Sequence, residues 1–217
     1  MLYGYITRFM LSLRDVSEIL FVRGIELSYE TIRAWNLVFG RTYANDIKRR
    51  APRRGDTWHL DEMCLVMNGK KYWLWRAVDQ DGYELDILLQ SRKNKKAAKR
   101  FFKKLLKGLR YAPRVIITDK LKSYGAAKKE ILPHVKHLQH KGLNNRAENS
   151  HQPTRQQEKQ MRKFKSPKQA QQFLSVHGQV GNLFGHQRYK MAANDQRVSL
   201  ATAWSQWQTI VSQAKCV

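Results

Sequence analysis

Apolar and polar positions change their rhythm repeatedly along this chain, and each change marks an element. Ser12 can cap a helix carrying Leu13, Val16, Ile19, Leu20 and Val22, which stops at Gly24. Ser28 opens a second helix, from Tyr29 to about Phe39, with Ile32, Trp35 and Leu37 or Phe39 inward and Glu30, Thr31, Arg33 and Asn36 outward. From Thr57 the pattern becomes that of strands: Thr57 to Met67, a turn at Asn68-Gly69-Lys70, Lys71 to Val78, a turn at Gln80-Asp81-Gly82, and Tyr83 to Gln90. The helical period then returns over Lys95 to Leu109, burying Ala98, Phe101, Phe102, Leu105 and Leu106. After Pro113, Val115-Ile116-Ile117-Thr118 is apolar without alternation, as expected of a strand buried on both faces in a parallel pairing. A helix near Ser123 to Ile131, a strand at Val135 to Gln139 and a helical region from about Asn145 follow, with Pro153 bending the latter or marking a later start. Ser166-Pro167 caps another helix to about Phe184, and a tail with Trp204 and Trp207 is expected to pack back.

A three-strand meander followed by alternating strands and helices predicts an α/β fold with a mixed sheet and helices on its faces, the arrangement of ribonuclease-H-like nucleases. The expected organisation is a helix-turn-helix over residues 1–40, a basic linker over 41–56, the catalytic domain over 57–184 and a C-terminal tail over 185–217. The linker assignment rests on Lys48, Arg49, Arg50, Pro52, Arg53 and Arg54 in a stretch without apolar periodicity.

Charge narrows the function. With 41 Lys and Arg against 17 Asp and Glu, a net charge of +24 exceeds what solubility requires and predicts a polyanionic partner, double-stranded DNA or RNA in preference to a membrane. No apolar run approaches the roughly 20 residues needed to cross a bilayer, and no signal-peptide pattern opens the chain, so a cytoplasmic location is expected. Cys64 and Cys216 form neither a metal cluster nor a disulfide framework and are expected to be free thiols. Arg33 and Asn36, on the outward face of the second helix, are candidates for reading DNA. Lys96, Lys99, Lys103 and Lys107 on the basic helix are either a DNA path or a solvated face.

Against this positive background three acids stand out. Asp61 lies in mid-strand, where a buried carboxylate needs a partner. Asp119 ends the buried parallel strand, where open α/β sheets gather ligands, although an N-cap role fits it equally. Glu148 sits near a helix start, where negative charge is favourable in any case. Together they predict a carboxylate triad, Asp61, Asp119 and Glu148, holding two divalent cations per active site for attack on a phosphodiester. Hard oxygen ligands predict Mg²⁺, with Mn²⁺ as substitute. Arg155, seven residues beyond Glu148, would grip a phosphate from the same helix face, with Arg162 and Lys163 as further DNA contacts.

The blocks Trp58-His59-Leu60-Asp61-Glu62, Tyr72-Trp73-Leu74-Trp75-Arg76-Ala77-Val78-Asp79, Ser91 to Ala98, Thr118-Asp119-Lys120, Tyr124 and Asn144-Asn145-Arg146-Ala147-Glu148-Asn149-Ser150-His151 resemble the DDE transposases of bacterial insertion sequences, in particular the insertion-sequence-six family. The resemblance runs from about Leu13 to Lys190. It implies a ribonuclease-H-like domain behind a helix-turn-helix, with the family's metal-binding triad at Asp61, Asp119 and Glu148. It also implies strand transfer of element 3′ ends into target DNA, generally yielding cointegrates, by a homo-oligomer assembled on DNA in the nucleoid. The interval between Asp119 and Glu148 is shorter than the family's usual one, which points to a trimmed surface connection near Lys128 to Val135. Relatives carry more residues ahead of the helix-turn-helix, so an N-terminally short copy is expected. The rival expectation is a relative without turnover that occupies element ends. A ribonuclease H or resolvase-type nuclease on the same fold fits the N-terminal module less well.

Overall fold

The Asn68-Gly69 pair sets the geometry of the central sheet. Both residues take left-handed conformations (φ 49° and 74°) in a two-residue loop that joins β1 (Thr57–Met67) to β2 (Lys70–Asp79), with Met67 facing Lys70 in the register. The computed structural model describes residues 2–51, 54–185 and 191–213. The expectations for Pro52, Arg53 and Cys216 lie outside those residues; Cys64, half-buried in β1, is a free thiol.

By its own contacts the chain divides into two compact units, one comprising Met1–Ala51, Lys159–Arg162 and Gln172–Val217, the other Pro52–Glu158 and Lys163–Gln171. In the first, α2 (Leu13–Phe21) is capped at Ser12 by a capping box with Asp15, and α3 starts at Ser28, whose side chain accepts from the Thr31 N–H. An additional helix, α1 (Leu2–Phe9), precedes them. The expected basic linker is instead largely helix, since α3 runs from Tyr29 to Arg50. Its length follows from a stripe of Ile32, Gly40, Ala44 and Ile47, all buried, which carries the apolar face about two turns beyond Phe39. Trp35 and Leu37, expected inward, flank that stripe and are exposed. The core of this unit joins Tyr3, Ala44 and Ile47 to Val180 and Phe184 of α8 (Pro167–Phe184) and to Ala203, Trp207 and Ile210 of α9 (Ala193–Gln213). Trp207 is fully buried, in accord with the expected folding back of the tail. It lies so close to Gly4 that an added Cβ would stand 2.7 Å from its indole nitrogen.

The second unit holds a five-stranded mixed sheet in the order β3-β2-β1-β4-β5. β1, β2 and β3 (Glu84–Gln90) are antiparallel, while β4 (Val115–Thr118) runs parallel to β1 and β5 (Lys136–Gln139) parallel to β4. This is the ribonuclease-H-like arrangement expected from the sequence. On one face α4 (Lys95–Leu109) and α5 (Lys122–Ile131) close a core in which Trp58, Trp75, Phe101, Phe102, Leu105 and Tyr124 are fully buried. Burying a large apolar side chain contributes about 1.5–3 kcal/mol, so this face supplies much of the unit's stability. Toward the other face lie α6 (Asn145–Ser150) and α7 (Gln152–Gln160). The helix break expected near Pro153 falls at His151, because a proline at the second position of α7 has no N–H to continue the preceding ladder.

Candidate active site

Strand alternation splits β1 between two environments. Trp58 and Leu60 enter the core under α4, and Asp61 turns to the opposite face. The parallel pairing of β1 with β4 ends at Leu60 and Thr118, so Asp61 and Asp119 are the next residue on each strand. Their carboxylates therefore sit side by side just past the end of the β1–β4 pairing, Asp61 in the middle of β1 and Asp119 at the carboxyl end of β4, where such sheets gather ligands. One oxygen each from Asp61, Glu62 and Asp119 lies within 4.8 Å of the others, a group able to hold a metal ion. Asp119 also accepts the Leu121 N–H at 2.9 Å, which fixes its side chain at the head of the following turn.

Glu62 was not singled out from the sequence. Its side chain is 1% exposed, with one oxygen 2.5 Å from Lys93 Nζ, and Lys93 in turn lies over the Trp73 ring. The Tyr124 hydroxyl lies close to the carboxylate and opposes the rise in its pKa. Neither that hydroxyl nor Oε2 has a partner in hydrogen-bond geometry. Burial raises the Glu62 carboxyl above its ordinary value; Lys93 opposes that shift and the nearby Asp119 adds to it. An all-oxygen donor set containing a buried, unpartnered oxygen suits a hard divalent cation.

Glu148 is exposed on α6 and falls outside the group formed by Asp61, Glu62 and Asp119. Three contacts fix the helix that carries it. Asn144 donates from Nδ2 to the Leu60 carbonyl at 2.8 Å, tying the start of α6 to β1 one residue before Asp61. Arg76, which faces Asp61 across the β1–β2 register, donates to the Ser150 carbonyl and to Thr154 Oγ1, the latter at 2.6 Å. Its guanidinium is compensated by Glu84 at 3.1 Å. Finally, His151 places Nε2 3.3 Å from Asp61 Oδ2, and neither ring nitrogen has an aligned hydrogen-bond partner. Burial depresses the His151 pKa, against the pull of Asp61, and so favours the neutral ring at neutral pH. Arg76, Asn144 and His151 all stand within the sequence blocks that suggested the site; what marks them is burial of polar side chains, which only the fold reveals.

The expected DNA contacts fall into different settings. Arg155 is exposed on α7 and 3.6 Å from Glu158, and the interruption at His151 separates it from the face of Glu148 expected for an unbroken helix. Arg162 and Lys163 occupy the turn after α7 in left-handed conformations, both exposed. Lys96, Lys103 and Lys107 are exposed along α4, whereas Lys99 is drawn with Lys95 onto Glu130, whose carboxyl these two ammonium groups lower to about 2. Arg33 pairs with Glu30 at 2.6 Å on the exposed side of α3, and Asn36 beside it is half-buried. No helix among the described residues is long and apolar enough to cross a membrane.

The carboxylate pair on this sheet fits a DDE-type polynucleotidyl transferase, a metal-dependent class, and a family profile described as a DDE domain, of the IS240 transposase type, matches residues 55–187. The chain belongs to that transposase family, within the insertion-sequence-six group. It is 32% identical over 153 residues, 68% of either chain, to the Staphylococcus aureus transposase for insertion sequence-like element IS431mec. The same figures hold for the S. aureus transposase for insertion sequence element IS257 in transposon Tn4003. Among solved structures, the trimeric form of the HTLV-2 integrase catalytic core domain in complex with magnesium is similar at 16% identity and a TM-score of 0.43, covering 62% of this chain and 88% of that one.

Proposed function

We propose that the protein binds the ends of an insertion sequence and catalyses two-metal-ion cleavage and strand transfer into target DNA. The observation that carries this reading is the convergence of Asp61 and Asp119 just past the last parallel β1–β4 pair, with oxygens within 4.8 Å. Two divalent cations, Mg²⁺ or Mn²⁺, would polarise the phosphodiester and stabilise its entering and leaving oxygens when bound. Asp61 and Asp119 hold the shared position between them, and Glu148 completes the set from α6. Asn144 and Arg76 keep α6 in register with β1, so that the third carboxylate is carried by a fixed helix. His151, neutral, leaves the negative charge of Asp61 intact for a cation.

DNA is held by charge. Lys96, Lys103 and Lys107 line the outer side of α4 and, with Arg155, Arg162 and Lys163, offer phosphate contacts, while Arg33 and Asn36 of α3 give preference for element ends. Lys99 is the weakest member of the α4 set because Glu130 competes for it. The working unit is a homo-oligomer on DNA, acting in the cytoplasm at the nucleoid. Exposure of Glu148 outside the acidic group is the one observation favouring the second reading, a relative that occupies element ends without turnover.

The experiment that separates the two is strand transfer with purified protein, labelled element ends, target plasmid and Mg²⁺. Asp61→Asn, Asp119→Asn and Glu148→Gln should each reduce product at least about a thousandfold while end binding persists, since each removes a ligand charge with little change in volume. A parental protein that binds ends but yields no product would favour the second reading, and a variant transposing at the parental rate would remove that residue from the triad.

A further inference from the structure

Asp61 and Glu62 are consecutive on a strand and so leave it on opposite faces, yet both bring an oxygen to Asp119. The position just past the last β1–β4 pair allows this: β4 has ended there and, among the described residues, no further strand pairs with that edge of β1. Asp61 approaches from the side of His151, and Glu62 from the side of Lys93 and Tyr124. Glu62 is the most enclosed of the three, only 1% of its side chain being exposed. Its Oε1 is neutralised by Lys93, while Oε2 is buried and has no hydrogen-bond partner. Leaving a buried carboxylate oxygen unsatisfied is costly unless a cation or donor is meant to meet it.

We propose that Glu62 is a cation ligand of this site, supplying Oε2 to a divalent ion held together with Asp61 and Asp119. The proposal rests on the reading of Asp61 and Asp119 as metal-binding and adds a ligand from the opposite face of the sheet. Lys93 then has a defined part. It lies beside Oε1 and over the Trp73 ring, and compensates the carboxylate's charge before a cation arrives.

The test is Mn²⁺ binding to the full chain without DNA, read from the electron paramagnetic resonance signal of free Mn²⁺. Glu62→Gln should weaken binding tenfold or more, as should Asp119→Asn. Lys93→Met removes the ion pair but leaves the carboxylate, and should bind Mn²⁺ at least as tightly as the parent, with a larger Mn²⁺-induced rise in Tm because the ion now supplies the only compensation. Parental affinity in Glu62→Gln alongside loss in Asp119→Asn would overturn the role of Glu62 and leave the proposed function standing. Parental affinity in both would sink the site itself. If Lys93→Met loses as much affinity as Glu62→Gln, the ion pair and not the oxygen is what the site needs, and the proposal fails. Should Glu62→Gln not fold by circular dichroism, the Lys93→Met comparison decides alone: a Tm rise no greater than the parent's overturns it.

Discussion

The two faces of the central sheet are built from alternate residues of the same strands and solve opposite problems. Under α4, Trp58, Leu60, Trp75 and Ala77 meet Phe101, Phe102 and Leu105 in an apolar core with no exposed surface. Toward α6, the same two strands present Asp61 and Arg76, met by His151, Ser150 and Thr154, with Glu84 of β3 closing the charge. The first face needs only volume and shape. The second buries charge, and each member depends on a particular partner, because an unpaired charge at low dielectric is heavily penalised. The irregularity between Ala77 and Val78 serves the division. It lets Leu85 enter the apolar core and Asp86 reach Lys104 of α4 at 2.6 Å, while Glu84 remains with Arg76. The lesson is that the apolar face anchors the sheet and the polar face aims the chemistry.

That contrast is broken most severely by paired substitutions. Phe102→Ala and Arg76→Met should each cost about 3–5 kcal/mol of stability, the first through a cavity and the second by stranding Glu84. The comparison survives if, per folded molecule, Phe102→Ala retains strand transfer and Arg76→Met does not; equal specific activity would erase the functional difference between the faces. A smaller effect is expected from Asn144→Ala. Loss of the bond to the Leu60 carbonyl should destabilise by about 1–3 kcal/mol and lower turnover with little change in DNA affinity, as seen by chemical denaturation and end binding side by side. On the outer side of α4, changing Lys96, Lys103 and Lys107 to Gln should flatten the slope of log affinity against log salt by about 2 to 3 units, whereas Lys99→Gln alone should hardly alter it. Filter binding over a salt series measures both, and a slope insensitive to the triple change would leave that side of α4 as solvated surface.

The smallest predicted effect is a pH dependence of the polar face. The folded-state pKa of His151 is depressed by burial, so the unfolded chain takes up the proton first, near pH 6.5. Its contribution is therefore intact above about pH 6.5 and is lost as pH falls through that value toward the lower folded one. His59 and His137, depressed for the same reason, add to this trend. Tm should decline on acidification below about pH 6.5, and His151→Gln should make the decline shallower. An identical pH profile in the variant would mean that the ring is not shielded from solvent.

The sequence by itself determined the strands and most helices of the catalytic unit. Period-two and period-3.6 patterns, an Asn-Gly turn and Ser and Asn caps are local physics, legible residue by residue. It also singled out Asp61 and Asp119, because a carboxylate in mid-strand and one at the end of a buried parallel strand contradict the surrounding pattern. Only the tertiary structure decided the rest. Helix α3 continues to Arg50 because Ala44 and Ile47 are buried against helices distant in sequence, which no local signal among those basic residues announces. Glu62 joins the acidic group although alternation sends it to the other face from Asp61, since the end of β4 opens a gap that both can reach. Arg76 and Asn144 read in sequence as an ordinary strand cation and loop amide. Their roles arise from partners 74 or more residues away, and the burial that makes those partners obligatory exists only once the sheet and α6 have come together.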